Sequence, residues 1–201
     1  MPTIHRAHGS RLGSFDHPDR YDRWARRLLG GLYSRVAAEV AAAGLDPGGR
    51  VLDVGTGPGR LPLAIASAAP ALQVEGLDLS AETIAYARRA AGHAGLDDRV
   101  RFTAGDVVDL PYPDASFDLV VSTMSQHHWP DAPAAFRELR RVLRPTGQVW
   151  IYDLRLALRR AEAAARACFP SVDPRREVLR VGWLPVRLIG RLVIDPAGAR
   201  R

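Results

Sequence analysis

Residues 51–60 read VLDVGTGPGR. Val51 to Val54 are apolar apart from Asp53, and glycine then recurs at every second position as Gly55, Gly57 and Gly59. An apolar run of that length suits a short strand buried in a sheet. The glycines suit a tight turn whose bare backbone can approach a ligand. Leu61 to Ala69 follows with helical spacing, and Pro62 is tolerated in a first helical turn, where its missing N–H costs nothing. The unit is strand, glycine loop, helix.

The same rhythm extends downstream. Leu72 to Leu77 reads as a strand, and Ser80 as the N-cap of a helix to about Ala94. Arg99 to Thr103 is a third strand. Phe117 to Val121 is almost wholly apolar, as in a sheet covered on both faces. Asp131 caps a helix carrying Phe136, Leu139 and Leu143, a turn is expected over Arg144-Pro-Thr-Gly147, and Gln148 to Tyr152 is a fifth strand. Alternating strands and helices predict a doubly wound α/β fold with a mostly parallel sheet. Upstream, Trp24, Leu28, Leu32, Val36 and Val40 form an i,i+4 row over about 18–43, closed by Gly44 and Pro47, with Gly30-Gly31 as a point of bending. Downstream, Arg155 to Ala167 reads as a helix. Arg176 to Ile194 reads as a hairpin around Trp183-Leu184-Pro185. Its competitor is an amphipathic helix presenting Arg180, Arg187 and Arg191, against which Pro185 and Gly190 argue.

A dinucleotide site wants G-x-G-x-x-G for its pyrophosphate, but Arg60 stands where the third glycine would be. A phosphate loop of the Walker type needs a lysine, and the chain has none. A nucleoside without phosphates remains, with S-adenosylmethionine the leading candidate; a turn with no ligand is the plain alternative. Asp78, ending VEGLD, can accept two charge-assisted hydrogen bonds from a ribose diol, as acids at this place also do in NAD enzymes. Leu79 would pack on adenine, Asp106 accept from its amino group, and Val107 lie on the ring. Asp53 must be paired if buried. It organises loop N–H groups or a water near the methionine ammonium, or it is structural only.

VLDVGTGPGRLPLAIA, GLDLS, GDVVDLPYPDASFDLVVSTMSQHHWPD and AFRELRRVLRPTGQVWI occur in that order over residues 50–151. Together they resemble the class I S-adenosylmethionine-dependent methyltransferases, and within them the group of ubiquinone/menaquinone C-methyltransferases and related small-molecule enzymes. The resemblance implies a seven-stranded Rossmann-like sheet of order 3-2-1-4-5-7-6, the last strand antiparallel, with an N-terminal helical lid. It implies that Gly55, Thr56, Gly57 and Gly59 form the methionine-side loop, that Asp78 holds ribose, and that Asp106 and Val107 recognise adenine. Ser122 and Thr123 would border the methionine and sulfonium, and Tyr21, beside Asp22, would close over the cofactor. No metal is implied. Domain bounds follow: 1–16 a flexible N-terminus, 17–194 one methyltransferase domain (17–46 lid, 47–153 cofactor core, 154–194 acceptor-side elements), and 195–201 a tail.

The sulfonium methyl is already activated, so the protein needs to align a nucleophile and exclude water. A base is required only for a protonated phenol, alcohol or amine. His127 and His128 follow the fourth strand, beside the expected methyl group, and either one is placed to take or orient the acceptor's proton. The plain alternative is that neither does chemistry. The reading is methyl transfer to oxygen or carbon of a phenolic, quinone-like or secondary-metabolite acceptor, releasing S-adenosylhomocysteine. Its rival is a non-catalytic adenosyl-binding or scaffold protein that needs a partner to complete the acceptor site. An oxidoreductase is weakened by Arg60.

The 201 residues carry a net charge of +6 supplied by arginine alone. A basic surface attracts nucleic acid. Here the arginines, such as Arg137, Arg140, Arg141 and Arg144, fall at spacings of solvated helix faces, and STMSQHHW replaces the Asn/Asp-Pro-Pro-aromatic motif of nucleobase-amine methyltransferases. Nucleic-acid binding is therefore disfavoured. A single cysteine, Cys168, excludes an internal disulfide and reads as a small core residue. No run reaches the about 20 apolar residues of a membrane span, and MPTIHRAHGS lacks a signal-peptide core, so a cytoplasmic location is expected. A basic, apolar C-terminal patch would permit peripheral membrane contact if the acceptor were a lipid quinone.

Overall fold

Val51 to Val54 lie at the centre of a seven-stranded sheet in the computed structural model, which describes residues 31–179 and 188–198. The strands are β1 (Arg50–Val54), β2 (Gln73–Asp78), β3 (Val100–Ala104), β4 (Phe117–Thr123), β5 (Leu143–Leu154), β6 (Arg175–Val178) and β7 (Ile189–Ile194). Their order is β3-β2-β1-β4-β5-β7-β6. The four pairings among β1 to β5 are parallel, and β7 runs antiparallel to both β5 and β6. The expected order is present, and β6 and β7 form the antiparallel pair expected of the C-terminal hairpin, whose turn at Trp183-Leu184-Pro185 lies outside the described residues.

The period of two in each strand divides the core between the two faces. Val51, Val74, Leu119, Val121, Trp150 and Tyr152 point to one face, where the described part of α1 (31–41), α2 (Arg60–Ala68) and α3 (Ala81–His93) pack. Leu52, Val54, Val120 and Ile151 point to the other, under α4 (Ala132–Val142) and α5 (Ala157–Cys168). Cys168 is buried in this second cluster. Helix starts follow side-chain chemistry: Ser80 Oγ accepts from Thr83 N, and Asp131 Oδ1 accepts from Ala134 N at 2.8 Å.

Two sequence expectations are corrected. Residues 144–147 do not form a separate turn. Leu143 already pairs with Phe117 and Gln148 with Leu119, so Arg144 to Gly147 bulge out within one twelve-residue strand. Arg144 is held there by Asp118 at 2.7 Å. Nor is the arginine row on α4 merely solvated. Arg141 is clamped by Glu138 and Asp114 and bonds the carbonyls of Leu110 and Tyr112, which pins the loop after β3.

The described part of α1 is fixed to the sheet. Leu32, Val36 and Val40 are buried, and Glu39 accepts hydrogen bonds from Tyr152 Oη at 2.6 Å and Arg191 at 2.8 Å. Burial alone would raise the Glu39 pKa, but the Tyr152 hydroxyl and the Arg35 and Arg191 charges outweigh it and hold it below the ordinary value. Trp24, Leu28 and the Tyr21-Asp22 pair lie outside the described residues.

Candidate functional site

The C-terminal ends of β1, β2 and β4 meet where the strand order reverses, with β2 on one side of β1 and β4 on the other. In open α/β sheets such a crevice is where ligands bind. Each of the expected residues except Tyr21 can be placed there or close by.

The glycine loop is built to turn tightly and to touch its neighbours. Gly55 has φ +72°, and a Cβ at that position would stand 1.8 Å from Ser125 Oγ. Gly59 has φ +79°, and its Cβ would stand 2.6 Å from the Phe102 ring. The loop N–H groups are internally satisfied. Gly55 N and Thr56 N both donate to the Leu77 carbonyl, Gly59 N to that of Thr56, and Gly57 N to Asp78 Oδ2 at 2.8 Å. Asp78 also accepts from Ser80 N through Oδ1 at 3.0 Å. It thus fastens the loop while each oxygen keeps lone-pair capacity for a ribose hydroxyl.

Asp53 is 2% exposed. Its Oδ2 accepts from Thr56 Oγ1 at 2.7 Å, and its Oδ1 has no partner. Burial pushes its pKa up to about 7; the Thr56 hydrogen bond opposes this and the Asp78 charge adds to it. Ser122 Oγ and Thr123 Oγ1, at the end of β4, are likewise buried without partners. Buried polar atoms are normally paired. Three left over at the adjoining ends of β1 and β4 suit the ammonium and carboxylate of an amino-acid tail. The residues present therefore fit S-adenosylmethionine. On the adenine side Leu79 is 76% exposed and free to cover a ring, and Asp106 is exposed, its Oδ1 accepting from Val108 N at 3.2 Å. Val107 is 7% exposed and packs into the second core cluster.

After β4 the chain turns sharply. Met124 adopts φ +54°, a costly conformation for a residue with a side chain, and its N–H donates to the Tyr152 carbonyl at 2.7 Å. Ser125 packs on Gly55, and Trp129 Nε1 donates to Ser125 Oγ at 3.2 Å. A 3-10 turn, Gln126–His128, comes next. His127 Nδ1 lies 2.8 Å from Asp153 Oδ1, and His127 N donates to Asp153 Oδ2 at 3.1 Å. Asp153 is fully buried at the end of β5. A carboxylate that accepts from Nδ1–H leaves Nε2 with a lone pair, which is how a histidine is prepared to take a proton. The His128 ring lies 4.0 Å from that of His127, centroid to centroid, tilted by 44°, and burial, with the His127 ring beside it, holds its pKa below the ordinary value against the pull of Asp153. The two histidines thus differ: His127 has a carboxylate to orient it.

Asp153, Ser125 and the groove beside the turn escaped the sequence reading. The acid that ends VWIYD stands in the same relation to β5 as Asp78 does to β2, and that was the available signal. Among the described residues there is no group of three or more His, Cys, Asp or Glu that could hold a metal ion, and no helix long and apolar enough to cross a membrane.

A family model described as "Methyltransferase domain" matches residues 51–147. The chain is similar to 27-O-demethylrifamycin SV methyltransferase of Amycolatopsis mediterranei, 41% identical over 112 residues, 56% of this chain and 41% of that protein. It is also similar to demethylmenaquinone methyltransferase of Thermus thermophilus, 36% identical over 131 residues, 65% of this chain and 54% of that one. The chain thus spans about half the length of these curated relatives. Its fold is that of a SAM-dependent methyltransferase structure from Aquifex aeolicus, with TM-score 0.71, 22% identity, and 90% and 98% of the two chains covered.

Proposed function

We propose that the chain carries a class I S-adenosylmethionine-dependent methyltransferase domain and that it methylates oxygen or carbon of a small-molecule acceptor, releasing S-adenosylhomocysteine. The observation that carries this reading is the convergence of Asp53, the Gly55–Gly59 loop, Asp78 and the β4 end on one crevice, where buried polar atoms of Asp53, Ser122 and Thr123 are left without partners. The acceptor class is phenolic, quinone-like or a secondary metabolite. The relatives are named for acceptors of small-molecule kind, demethylmenaquinone and 27-O-demethylrifamycin SV, which supports it. A non-catalytic adenosyl-binding protein would have no use for the His127–Asp153 pair and is not favoured.

When bound, S-adenosylmethionine supplies a methyl group on sulfur, whose bond breaks with the electron pair remaining on sulfur. The chain's own residues do the rest. Asp78 holds the ribose diol, Asp53 and Ser122 face the methionine end, and Leu79 and Asp106 flank the adenine. His127, its Nδ1–H fixed by Asp153, accepts the acceptor's proton at Nε2 as the nucleophile forms its bond to carbon.

The test is calorimetric titration of cofactor-stripped protein with S-adenosylmethionine, S-adenosylhomocysteine and NADH, repeated on Asp78→Ala. Micromolar binding of both adenosyl ligands, weakened about tenfold or more in the variant and absent for NADH, is the expected result. Failure of folded wild-type protein to bind either ligand overturns the reading.

A further inference from the structure

A groove of about 900 Å³ opens on the far side of the 3-10 turn, between that turn, the start of α4 and one face of α5. Leu156, Arg160, Ala163, Ala164 and Ala167 recur at helical spacing along α5 and form its floor, and Trp129 and Pro133 stand opposite. Alanines there leave room beside an apolar wall. Gln126 and His127 line the inner end. Gln126 is only 4% exposed, and its Oε1 is buried without a hydrogen-bond partner.

The rim is cationic. Arg159 and Arg160 line the groove, are exposed, and have no acidic partner among the described residues. The only acid on α5, Glu162, is already engaged by Arg166 and Arg176. Arg166 by contrast is neutralised by Glu162 and Asp173. The turn connects this groove to the cofactor crevice. Ser125 packs on Gly55, while the next two residues line the groove.

We propose that this groove holds the methyl acceptor and that the acceptor is an amphipathic anion: an apolar skeleton on the alanine face of α5, a carboxylate or phosphate at Arg159 and Arg160, and its nucleophilic atom at His127. Apolar burial supplies the bulk of the affinity, and the two guanidinium groups set the orientation. Gln126 hydrogen-bonds the polar end that reaches the turn. This inference rests on the methyl-transfer reading for its chemistry, but the binding it requires is measurable without any cofactor.

Decanoate, decyl phosphate and decanol serve as probes, titrated below their micelle concentrations into the full chain. Each is measured with wild type, Arg159→Ala/Arg160→Ala and Ala163→Phe, and each protein is checked for folding by circular dichroism and for S-adenosylhomocysteine binding. The two arginines are exposed and Ala163 is solvent-facing, so all three proteins should fold. Decanoate and decyl phosphate should bind wild type at least about tenfold more tightly than decanol, the double variant should erase that preference, and Ala163→Phe should weaken all three. S-adenosylhomocysteine should bind all three proteins equally. Equal binding of decanol and the anions, or an anion preference that survives the double variant, overturns the proposal. So does arginine-dependent sedimentation with phosphatidylglycerol vesicles in the absence of monomeric decanoate binding, which would make the groove a membrane-facing surface. Loss of S-adenosylhomocysteine binding in wild type would instead overturn the cofactor reading and leave the groove result standing.

Discussion

Asp53 concentrates the site's electrostatic tension in one side chain. Its carboxyl lies 2% exposed with one oxygen unpaired, and burial pushes its pKa up to about 7. An unfolded aspartate ionises near pH 4. Below that pH both states carry the proton and the group contributes nothing to stability. Between about pH 4 and 7 the unfolded chain releases its proton while the folded one keeps it, so stability falls as pH rises, and by pH 8 the ionised carboxylate costs up to about 4 kcal/mol. Asp53→Asn keeps an oxygen for the Thr56 hydroxyl and removes the charge. Urea unfolding of the ligand-free variant should therefore give about 1–2 kcal/mol more stability than wild type at pH 8 and no gain at pH 4, the remainder being lost to an amide N–H without an acceptor. A gain of equal size at both values would show that the effect is packing and not charge. The ammonium of a bound methionine tail would favour the ionised form, so wild type should release a proton on binding S-adenosylmethionine near pH 6.5, and the variant should not. Titration in buffers of different ionisation enthalpy reads that proton directly.

At the scale of elements, the segment from Met124 to Trp129 is the piece that joins cofactor loop, base and groove. It is held by a left-handed Met124, by Ser125 against Gly55, and by two hydrogen bonds from His127 to Asp153. The second of these fixes which ring nitrogen carries the proton. With an ionised Asp153 the proton sits on Nδ1. Asp153 Oδ1 also accepts from Leu154 N at 2.7 Å, so an asparagine keeps its oxygen there and the informative variant is Asp153→Ala, in which nothing accepts from Nδ1–H and the ring divides between its two tautomers. Nitrogen chemical shifts of His127 should report the Nδ1–H form in wild type and a mixture in the variant. Turnover should fall about 10²–10⁴-fold in both Asp153→Ala and His127→Ala, with S-adenosylhomocysteine affinity retained, whereas His128→Ala should keep turnover. An unchanged tautomer in the variant, or full turnover in His127→Ala, removes the base assignment. This element also marks where sequence reading stops. Strands and caps were legible because they rest on local signals: the alternation of Val51 and Leu52, Ser80 and Asp131 at helix starts, the glycine spacing after β1. The strand order was legible only through the family resemblance, since no local pattern states which strands pair. The histidines were legible as a pair by position. Their difference was not, because it depends on Asp153, 26 residues away and adjacent only once β4 and β5 pair in register. The turn over residues 144–147 was misread for a similar reason, since Pro and Gly signal a bulge and a turn alike until the partner strand is known. The groove needed the packing of α4 against α5, which no local pattern states.

The whole molecule is two cores on one sheet, with the candidate crevice at the seam between the β1–β3 half and the β4–β7 half. A ligand seated there touches loops from both halves, so its binding free energy adds to the stability of the entire domain. At a concentration of 100 times Kd that addition is about 2.7 kcal/mol. For a domain of this size it corresponds to a rise of about 5–10 °C in Tm. S-adenosylhomocysteine should produce such a rise in one cooperative transition, and NADH should not. The β1–β4 ladder joins the halves within the sheet, and Gly55 joins their loops, because a Cβ there runs into Ser125 Oγ and the backbone has φ +72°. Gly55→Ala should lower the ligand-free Tm, by a destabilisation of about 1–3 kcal/mol, and should abolish the ligand-induced rise as Ser125 is pushed off the loop. Gly92→Ala is the control. Gly92 lies exposed in α3 with nothing within 4 Å of a built Cβ, so alanine there should stabilise by about 0.5–1 kcal/mol and keep the full rise. If Gly55→Ala retained the rise, the contact between the glycine loop and the post-β4 turn would be ordinary packing, and the coupling between cofactor crevice and acceptor groove would have to run through some other pair of residues.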